Sequence, residues 1–228
     1  MKIAEIYRSL QGEGFLTGAP SAFVRTSGCN LRCWFCDTPY TSWEPEGDDL
    51  APDDVVARVD ELGCSHVVLT GGEPMLYAEL VPLAAALQRR GYHITIETAG
   101  TLDLPVVCDL MSISPKRPGS APPRKRDARW HRRHEQTRHR PEVIAQLAAR
   151  YFCQFKFVID TPGDVDDVLA YLADMSAIEP ARVLLMPQGT EAEELAERAR
   201  WLAPLCRQHG LTYCPRRQIE WFGYRRGT

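Results

Sequence analysis

HVVLTGGEPMLYAELVPLAAALQRRGYHITIET, residues 66–98, holds a strand, a helix and a second strand in succession. His66 to Thr70 is a short apolar run, Gly71-Gly72 makes a turn, a helix is expected over roughly Leu76 to Arg90, and Tyr92 to Thr98 reads as a strand again. Two apolar strands joined through an amphipathic helix run parallel, because a tight hairpin turn cannot connect parallel neighbours.

The alternation continues in both directions. Toward the C-terminus, Val106 to Ser112 reads as a strand, Pro115 to Arg140 as a long irregular segment, and Pro141 opens a helix. Phe152 to Ile159 and Arg182 to Met186 are strands, each followed by a helix, over Val165 to Asp174 and Glu191 to His209. Toward the N-terminus, Pro52 starts a helix with Asp53 and Asp54 in its first turn, where carboxylates complement exposed amides. Val55, Val56, Val59 and Leu62 form its apolar stripe, Pro39 to Pro52 is polar and turn-rich, and Ser21 to Thr26 is a strand. About six apolar strands separated by helices imply a parallel sheet with helices packed on it, in the α/β class. Six is short of the eight of a closed barrel, so a partial (β/α)6-type barrel fits best, although the pattern alone does not separate it from a doubly wound sheet. Either way, the strand C-termini form the active edge. There lie Thr26-Ser-Gly-Cys29, Thr70 to Pro74, Glu97-Thr98, Ser112 to Lys116, Lys156 and Met186 to Gly189.

With 228 residues, 44% hydrophobic and 25% charged, the chain has the composition of a globular protein that can fold as a single domain over 1–228. Its net charge of −3 argues against a general nucleic-acid or membrane coat. Glu5, Arg8 and Glu13 interrupt the opening where a secretory signal needs an apolar run, so a cytoplasmic protein with no membrane segment is expected.

Three of the eight cysteines crowd into Cys29-Asn-Leu-Arg-Cys33-Trp-Phe-Cys36. Three thiolates ligate three irons of a cubane and leave the fourth iron open to a cofactor. Zinc is the rival metal, but a structural zinc site needs four ligands, and no second cysteine pair supplies them. Trp34 and Phe35 can shield the sulfurs or simply pack. Cys64, Cys108, Cys153, Cys206 and Cys214 sit in or beside apolar runs and are expected to be inert.

Thr70-Gly-Gly-Glu-Pro74 combines a turn that lets a ligand approach the backbone with a carboxylate, Glu73, suited to an ammonium group. The glycine pair also has a purely steric reading. Gln11, Glu13 and Arg25 form a polar set for a heterocycle bearing a carboxylate, or else Glu13 caps a turn and Arg25 sits in an internal salt bridge. Lys116 to Glu142 carries ten Lys or Arg against three acidic residues, with Trp130 as its one aromatic. It reads as a solvated, partly helical excursion, a lid, a docking surface for an electron donor, or a nucleic-acid contact that the shortage of aromatics disfavours.

The Cys29, Cys33, Cys36 spacing resembles the hallmark loop of the radical S-adenosylmethionine (SAM) superfamily. Glu5 to Gly14, Phe23 to Leu31, Cys36-Asp-Thr38, Thr70 to Pro74, Ser114-Pro-Lys116, Phe155 to Val158 and Met186 to Gly189 are similar to the 7-carboxy-7-deazaguanine synthase family of queuosine and 7-deazapurine biosynthesis. The resemblance implies a carbon–nitrogen lyase that rearranges 6-carboxy-5,6,7,8-tetrahydropterin to 7-carboxy-7-deazaguanine with loss of ammonia. It implies a 4Fe–4S cluster on the three cysteines, SAM, and Mg2+ held by Thr38, in a homodimer served by a flavodoxin- or ferredoxin-type electron donor. Substrate contacts would come from Gln11, Gly12 and Arg25, with Leu10, Glu13 and Thr70 beside them. SAM would meet Gly72, Ser114 and Lys116, joined by Glu73, Pro115 and Gln154. No side chain is assigned a catalytic role, because the radical arises on the cofactor, and no direct nucleic-acid contact is expected. Arg216-Arg217-Gln218 departs from the family's usual Arg-Leu-His, so the tail at about 211–228 is expected to close the pocket differently. Two rivals remain: a glycyl-radical enzyme activase, whose cysteine loop has the same spacing, and a zinc-containing nucleic-acid-binding protein built on the basic segment.

Overall fold

The computed structural model describes residues 1–176 and 178–228. In chain order its elements are β1 (Lys2–Leu10), β2 (Pro20–Thr26), α1 (Pro39–Ser42), β3 (Asp48–Asp49), α2 (Pro52–Glu61), β4 (His66–Gly71), α3 (Leu80–Arg89), β5 (His93–Thr98) and β6 (Leu110–Ile113). There follow α4 (Ala128–Thr137), α5 (Pro141–Arg150), β7 (Cys153–Ile159), α6 (Gly163–Asp174), β8 (Val183–Pro187), α7 (Ala192–Gln208), β9 (Thr212–Tyr213) and α8 (Arg217–Phe222).

All nine strands join one sheet in the order β3-β1-β2-β4-β5-β6-β7-β8-β9. From β2 to β9 every neighbour is parallel and the spatial order follows the sequence order. A doubly wound sheet reverses its strand order at a switch point, and here there is no reversal. The six strands expected from sequence are β2, β4, β5, β6, β7 and β8, and the sheet does not close on itself, which makes the fold a partial barrel.

Strand periodicity divides the sheet into two faces. One face carries Ala22, Val24, Val67, Leu69, Ile94, Ile96, Met111, Phe155 and Phe157, all buried in one core cluster. The helices complete that cluster with Val55 and Val59 of α2, Leu83 and Leu87 of α3, Ile144 and Leu147 of α5, and Val165 and Val168 of α6. The intervening residues, among them Arg25, Thr70, Glu97, Ser112 and Lys156, line a cavity on the other face. The fold therefore places polar side chains inside the curve of the sheet and apolar ones under the helices.

The short elements α1, β3, β9 and α8 have no counterpart in the sequence reading, and four others differ from it. β1 pairs antiparallel with β2, with an irregularity between Ile3 and Glu5. Its apolar pattern is broken because Glu5 and Tyr7 face the cavity. α3 starts at Leu80, since a 3-10 turn over Pro74–Leu76, capped by the Glu73 carboxylate accepting from Met75 N, intervenes. β6 is confined to Leu110–Ile113 rather than beginning at Val106, although Val106 is buried. Within the excursion, α4 is a regular helix whose N-cap, Asp127, accepts from Trp130 N at 2.8 Å. Only His134 is fully buried on it, too little apolar signal to mark a helix in the sequence. No helix of the described residues is long and apolar enough to cross a membrane.

The Gly71-Gly72 turn shows how tightly β4 meets the strand beside it. A Cβ on Gly71, whose φ is +133°, would lie 2.1 Å from Thr26 O, and one on Gly72 would lie 2.1 Å from Gly28 O. The steric reading of the pair is therefore correct, whatever ligand also approaches it. Gly71→Ala is expected to destabilise the protein by about 1–3 kcal/mol in chemical denaturation, since backbone must shift. Gly163→Ala, whose Cβ would meet nothing closer than 4.0 Å, is expected to be neutral or slightly stabilising.

Candidate functional site

The cavity measures ≈ 430 Å³ and opens at the C-terminal edge of the parallel strands. Leu10, Gln11, Gly12, Glu13, Arg25 and Thr70, the expected substrate set, all line it. So do Cys29, Cys33, Cys36 and Thr38, and so do Gly72, Ser114 and Lys116. Residues separated by nearly the whole chain thus meet in one place.

Three expected contacts lie behind the wall instead. Glu73 is fully buried; its carboxylate accepts from Thr98 Oγ1 at 2.9 Å, Ala99 N at 2.9 Å and Met75 N at 3.1 Å. Burial pushes its pKa up against those hydrogen bonds, and its visible work is to tie the ends of β4 and β5 together. Gln154 donates to Ser112 Oγ at 2.8 Å and accepts from Phe15 N at 2.8 Å, which clamps the 11–15 loop to the sheet. Pro115 is buried between two lining residues without lining the cavity itself.

Charged groups in the cavity form an alternating chain. Lys156 Nζ sits between Glu97 Oε1 at 2.6 Å and Glu13 Oε2 at 3.0 Å. Glu13 Oε1 in turn accepts from Gln218 Nε2 at 2.6 Å and pairs with Arg216 Nε at 3.3 Å, while Arg216 also pairs with Asp37. Thr70 Oγ1 donates to Glu97 Oε2 at 2.8 Å. Burial alone would raise the Glu13 carboxyl; the Lys156 ammonium and Arg216 guanidinium, with hydrogen bonds from Lys156 and Gln218, outweigh it and hold the pKa at about 2. Burial would lower the Lys156 ammonium, but Glu97 and Glu13 raise it well above the ordinary lysine range. Lys156 is thus a fixed cation in the cavity wall.

Arg25 sits in the internal salt bridge that was one of its two readings. Nε donates to Glu5 Oε1 at 2.6 Å and Nη2 to Tyr7 OH at 2.7 Å, an internal salt bridge that fixes the guanidinium. Nη1 has no partner among the described residues, so a held cation with a free edge borders the cavity. Glu13 serves the ion-pair chain rather than a turn cap.

The thiols of Cys29, Cys33 and Cys36 share the cavity wall, and all eight cysteines are free. Leu31 N lies 3.4 Å from Cys29 Sγ, and Ser42 Oγ lies 3.2 Å from Cys36 Sγ. Burial pushes the Cys29 and Cys33 thiols up to about 12, so metal binding there must displace protons. Among the described residues no three His, Cys, Asp or Glu side chains converge at single-ion spacing. Three soft donors on one loop, backed by an amide and a hydroxyl aimed at sulfur, fit an iron–sulfur cubane. Thr38 Oγ1, 3.3 Å from Thr41 Oγ1, is an oxygen donor on the cavity wall. It suits magnesium only if substrate and water complete the hard-oxygen shell.

Sequence reading missed Glu5, Tyr7 and Asp37 as site residues, gave Glu97 and Lys156 only a place at the edge, and gave Arg216 and Gln218 only a place in the pocket-closing tail. Lys156, a charge between Phe155 and Phe157 in a buried strand, was the available signal. Arg216 and Gln218 reach Glu13 across more than 200 residues, and nothing local announces that.

Residues 23–117 match the Radical SAM superfamily model. The chain is 45% identical over 227 residues to a 7-carboxy-7-deazaguanine synthase of Rhodopirellula baltica, covering 99% of this chain and 88% of that one. It is 43% identical over 229 residues to one of Halobacterium salinarum, covering 96% and 89%. Its fold is similar to the crystal structure of QueE from Escherichia coli, with TM-score 0.72 and 22% identity over 94% of this chain and 92% of that one.

Because the Glu13 pKa is lower folded than the ordinary 4.5, its contribution to stability is present above about pH 4.5 and lost as pH falls toward 2. Glu13→Gln should cost about 1–3 kcal/mol at pH 7 and flatten the stability profile between those pH values, measured on metal-free protein. An unchanged profile would remove Glu13 from the charge chain.

Proposed function

The chain belongs to the 7-carboxy-7-deazaguanine synthase family of the radical SAM superfamily, and we propose that this cavity converts 6-carboxy-5,6,7,8-tetrahydropterin to 7-carboxy-7-deazaguanine with loss of ammonia. The observation that carries this reading is the meeting, in one cavity, of three loop thiols with a ring of inward-facing polar strand residues. The full-length relatives favour it over a glycyl-radical activase or a zinc protein.

Cys29, Cys33 and Cys36 would hold a 4Fe–4S cluster through their thiolates, and Gly72, Ser114 and Lys116 would border SAM. When bound, the cluster and SAM supply a one-electron reductive cleavage that yields the hydrogen-abstracting radical. The chain's own residues bind and orient. Arg25, fixed by Glu5 and Tyr7, offers its free edge to the substrate carboxylate. Gln11, anchored to Ser21 Oγ at 2.9 Å, and Gly12 present the loop that faces the heterocycle, with Leu10 and Thr70 beside them. Lys156 and Arg216 keep Glu13 ionised, so the wall holds fixed charges that need no rearrangement during the reaction. Thr38 would supply one oxygen to magnesium, which would fix the substrate's skeleton. Glu73 and Gln154 act behind the wall, as positioning residues. The same reading takes the working form as a homodimer in the cytoplasm.

Two variants test the assignment. Cys33→Ala should abolish the cluster's visible absorption and SAM cleavage after anaerobic reconstitution; an intact cubane spectrum would sink the ligand set. Thr38→Ala should keep iron and sulfide content yet lose the stimulation of product formation by Mg2+, and undiminished stimulation would remove Thr38.

A further inference from the structure

Helix α4 has two unlike stripes. Trp130, His134 and Thr137 turn inward, and Arg129, Arg132, Arg133 and Gln136 turn outward, the spacing of opposite helix faces. The inward stripe sits on the cysteine loop. His134 Nδ1 accepts from Arg32 N at 3.1 Å, and its Nε2 meets Ser120 Oγ at 2.9 Å. The Arg32 guanidinium lies 3.9 Å from the Trp130 ring centroid. Trp34 donates from N to Ser120 O at 3.1 Å and from Nε1 to Gly119 O at 3.0 Å. Both neighbours of Cys33 are therefore bonded to this segment. Trp34, 40% exposed, brings the loop to the surface beside it.

The outward side is a patch of unbalanced charge. Arg124, Lys125, Arg126, Arg129, Arg132, Arg133 and Arg140 are all exposed, and none forms an ion pair among the described residues. In the same segment Arg117 and Arg138 are paired, with Asp164 and Asp167 and with Glu135. In a chain of net charge −3, these seven cations in seventeen positions have no carboxylate partner, and although Arg126 lies over the Trp43 ring and Arg133 over the Trp130 ring, an anionic surface would relieve their mutual repulsion.

Resting on the function proposed above, which needs one electron per SAM cleaved, we propose that the outer face of α4 with Arg124 to Arg126 is the docking surface for an acidic electron-carrier protein. The carrier is oxidised by one electron, the cluster held by the loop beneath is reduced by one, and no bond or proton moves. The surface and the loop share hydrogen bonds, so a partner seated on α4 sits against the outside of the cysteine loop while substrate and SAM occupy the inside. Nucleic acid is the less suitable occupant. Trp130, the segment's only aromatic, lies within 3.9 Å of the Arg32 guanidinium and 4.8 Å of the Arg133 guanidinium, an environment that leaves it poorly placed to stack a base.

The test is the affinity of oxidised flavodoxin, an acidic flavin protein, for reconstituted wild-type enzyme and for R124E/R129E/R132E, by calorimetry at low and high salt, alongside dithionite-driven SAM cleavage. The expected result is wild-type binding that weakens with salt, a Kd raised at least roughly 10-fold in the variant, where favourable charge contacts become repulsive, and unchanged cleavage with dithionite. A variant that binds flavodoxin as wild type does, or that loses only RNA binding, would overturn the docking surface. Should the reversal fail to fold, R124Q/R129Q/R132Q puts the same question. Wild-type protein that makes no 7-carboxy-7-deazaguanine with dithionite counts against the proposed function, whereas an unchanged Kd counts against the surface alone.

Discussion

A lysine ammonium cannot sit inside a sheet without partners, and Lys156 stands between Phe155 and Phe157 in a strand whose every other neighbour is buried in the core. Its side chain emerges on the cavity face, where Glu97 and Glu13 close on it. That need organises much of the site. Glu13 is delivered by the loop after β1, which Gln154 clamps in place, and the spare charge of Glu13 draws in Arg216 and Gln218 from the C-terminal segment. Arg216 then reaches Asp37, next to Cys36. One chain of ion pairs so links β5, β7, the N-terminal loop, the tail and the cysteine loop. Buried pairs of this kind add little net stability, but removing one partner leaves a buried charge uncompensated, and this makes the arrangement hard to loosen.

The cysteine loop is supported from the other side by different chemistry. Its inner flank is bordered by the glycine turn after β4, where Gly72 N bonds Thr26 O and Glu73 N bonds Gly28 O. Its outer flank rests on α4 through the neutral imidazole of His134, whose pKa burial pushes down to about 4. A loop that must present three thiols in fixed positions is thus gripped by backbone hydrogen bonds on both sides. Within the loop, Arg32 Nη1 adds hydrogen bonds to Cys29 O and Leu31 O.

Much of this was legible in the sequence where the signal was local. Residues 66–98 showed a parallel strand pair because apolar runs and a helical stripe lie within one short window, and the cysteine loop showed metal chemistry because its three ligands lie within eight positions. β1 was not legible, since an antiparallel strand with Glu5 and Tyr7 turned into a polar cavity does not alternate as an apolar strand does. α4 was hidden by having one buried histidine and one half-buried tryptophan for its inner face. Arg216 and Gln218 were legible only as part of a tail expected to close the pocket; their pairing with Glu13 was not, because it joins residues more than 200 positions apart. Glu73, read as a partner for an ammonium group, has its carboxylate hydrogen-bonded to Thr98 and Ala99, an arrangement set by the meeting of β4 and β5 that no local pattern shows.

The most direct measurement is an anaerobic incubation of the reconstituted protein with SAM, Mg2+, a reductant and 6-carboxy-5,6,7,8-tetrahydropterin, followed by mass analysis. The structure and its relatives predict 7-carboxy-7-deazaguanine and ammonia, a redox-neutral conversion in which the hydrogen taken by the SAM-derived radical is returned, so that product exceeds any 5′-deoxyadenosine released. Formation of neither 7-carboxy-7-deazaguanine nor 5′-deoxyadenosine by protein that carries its full complement of iron and sulfide would contradict the account.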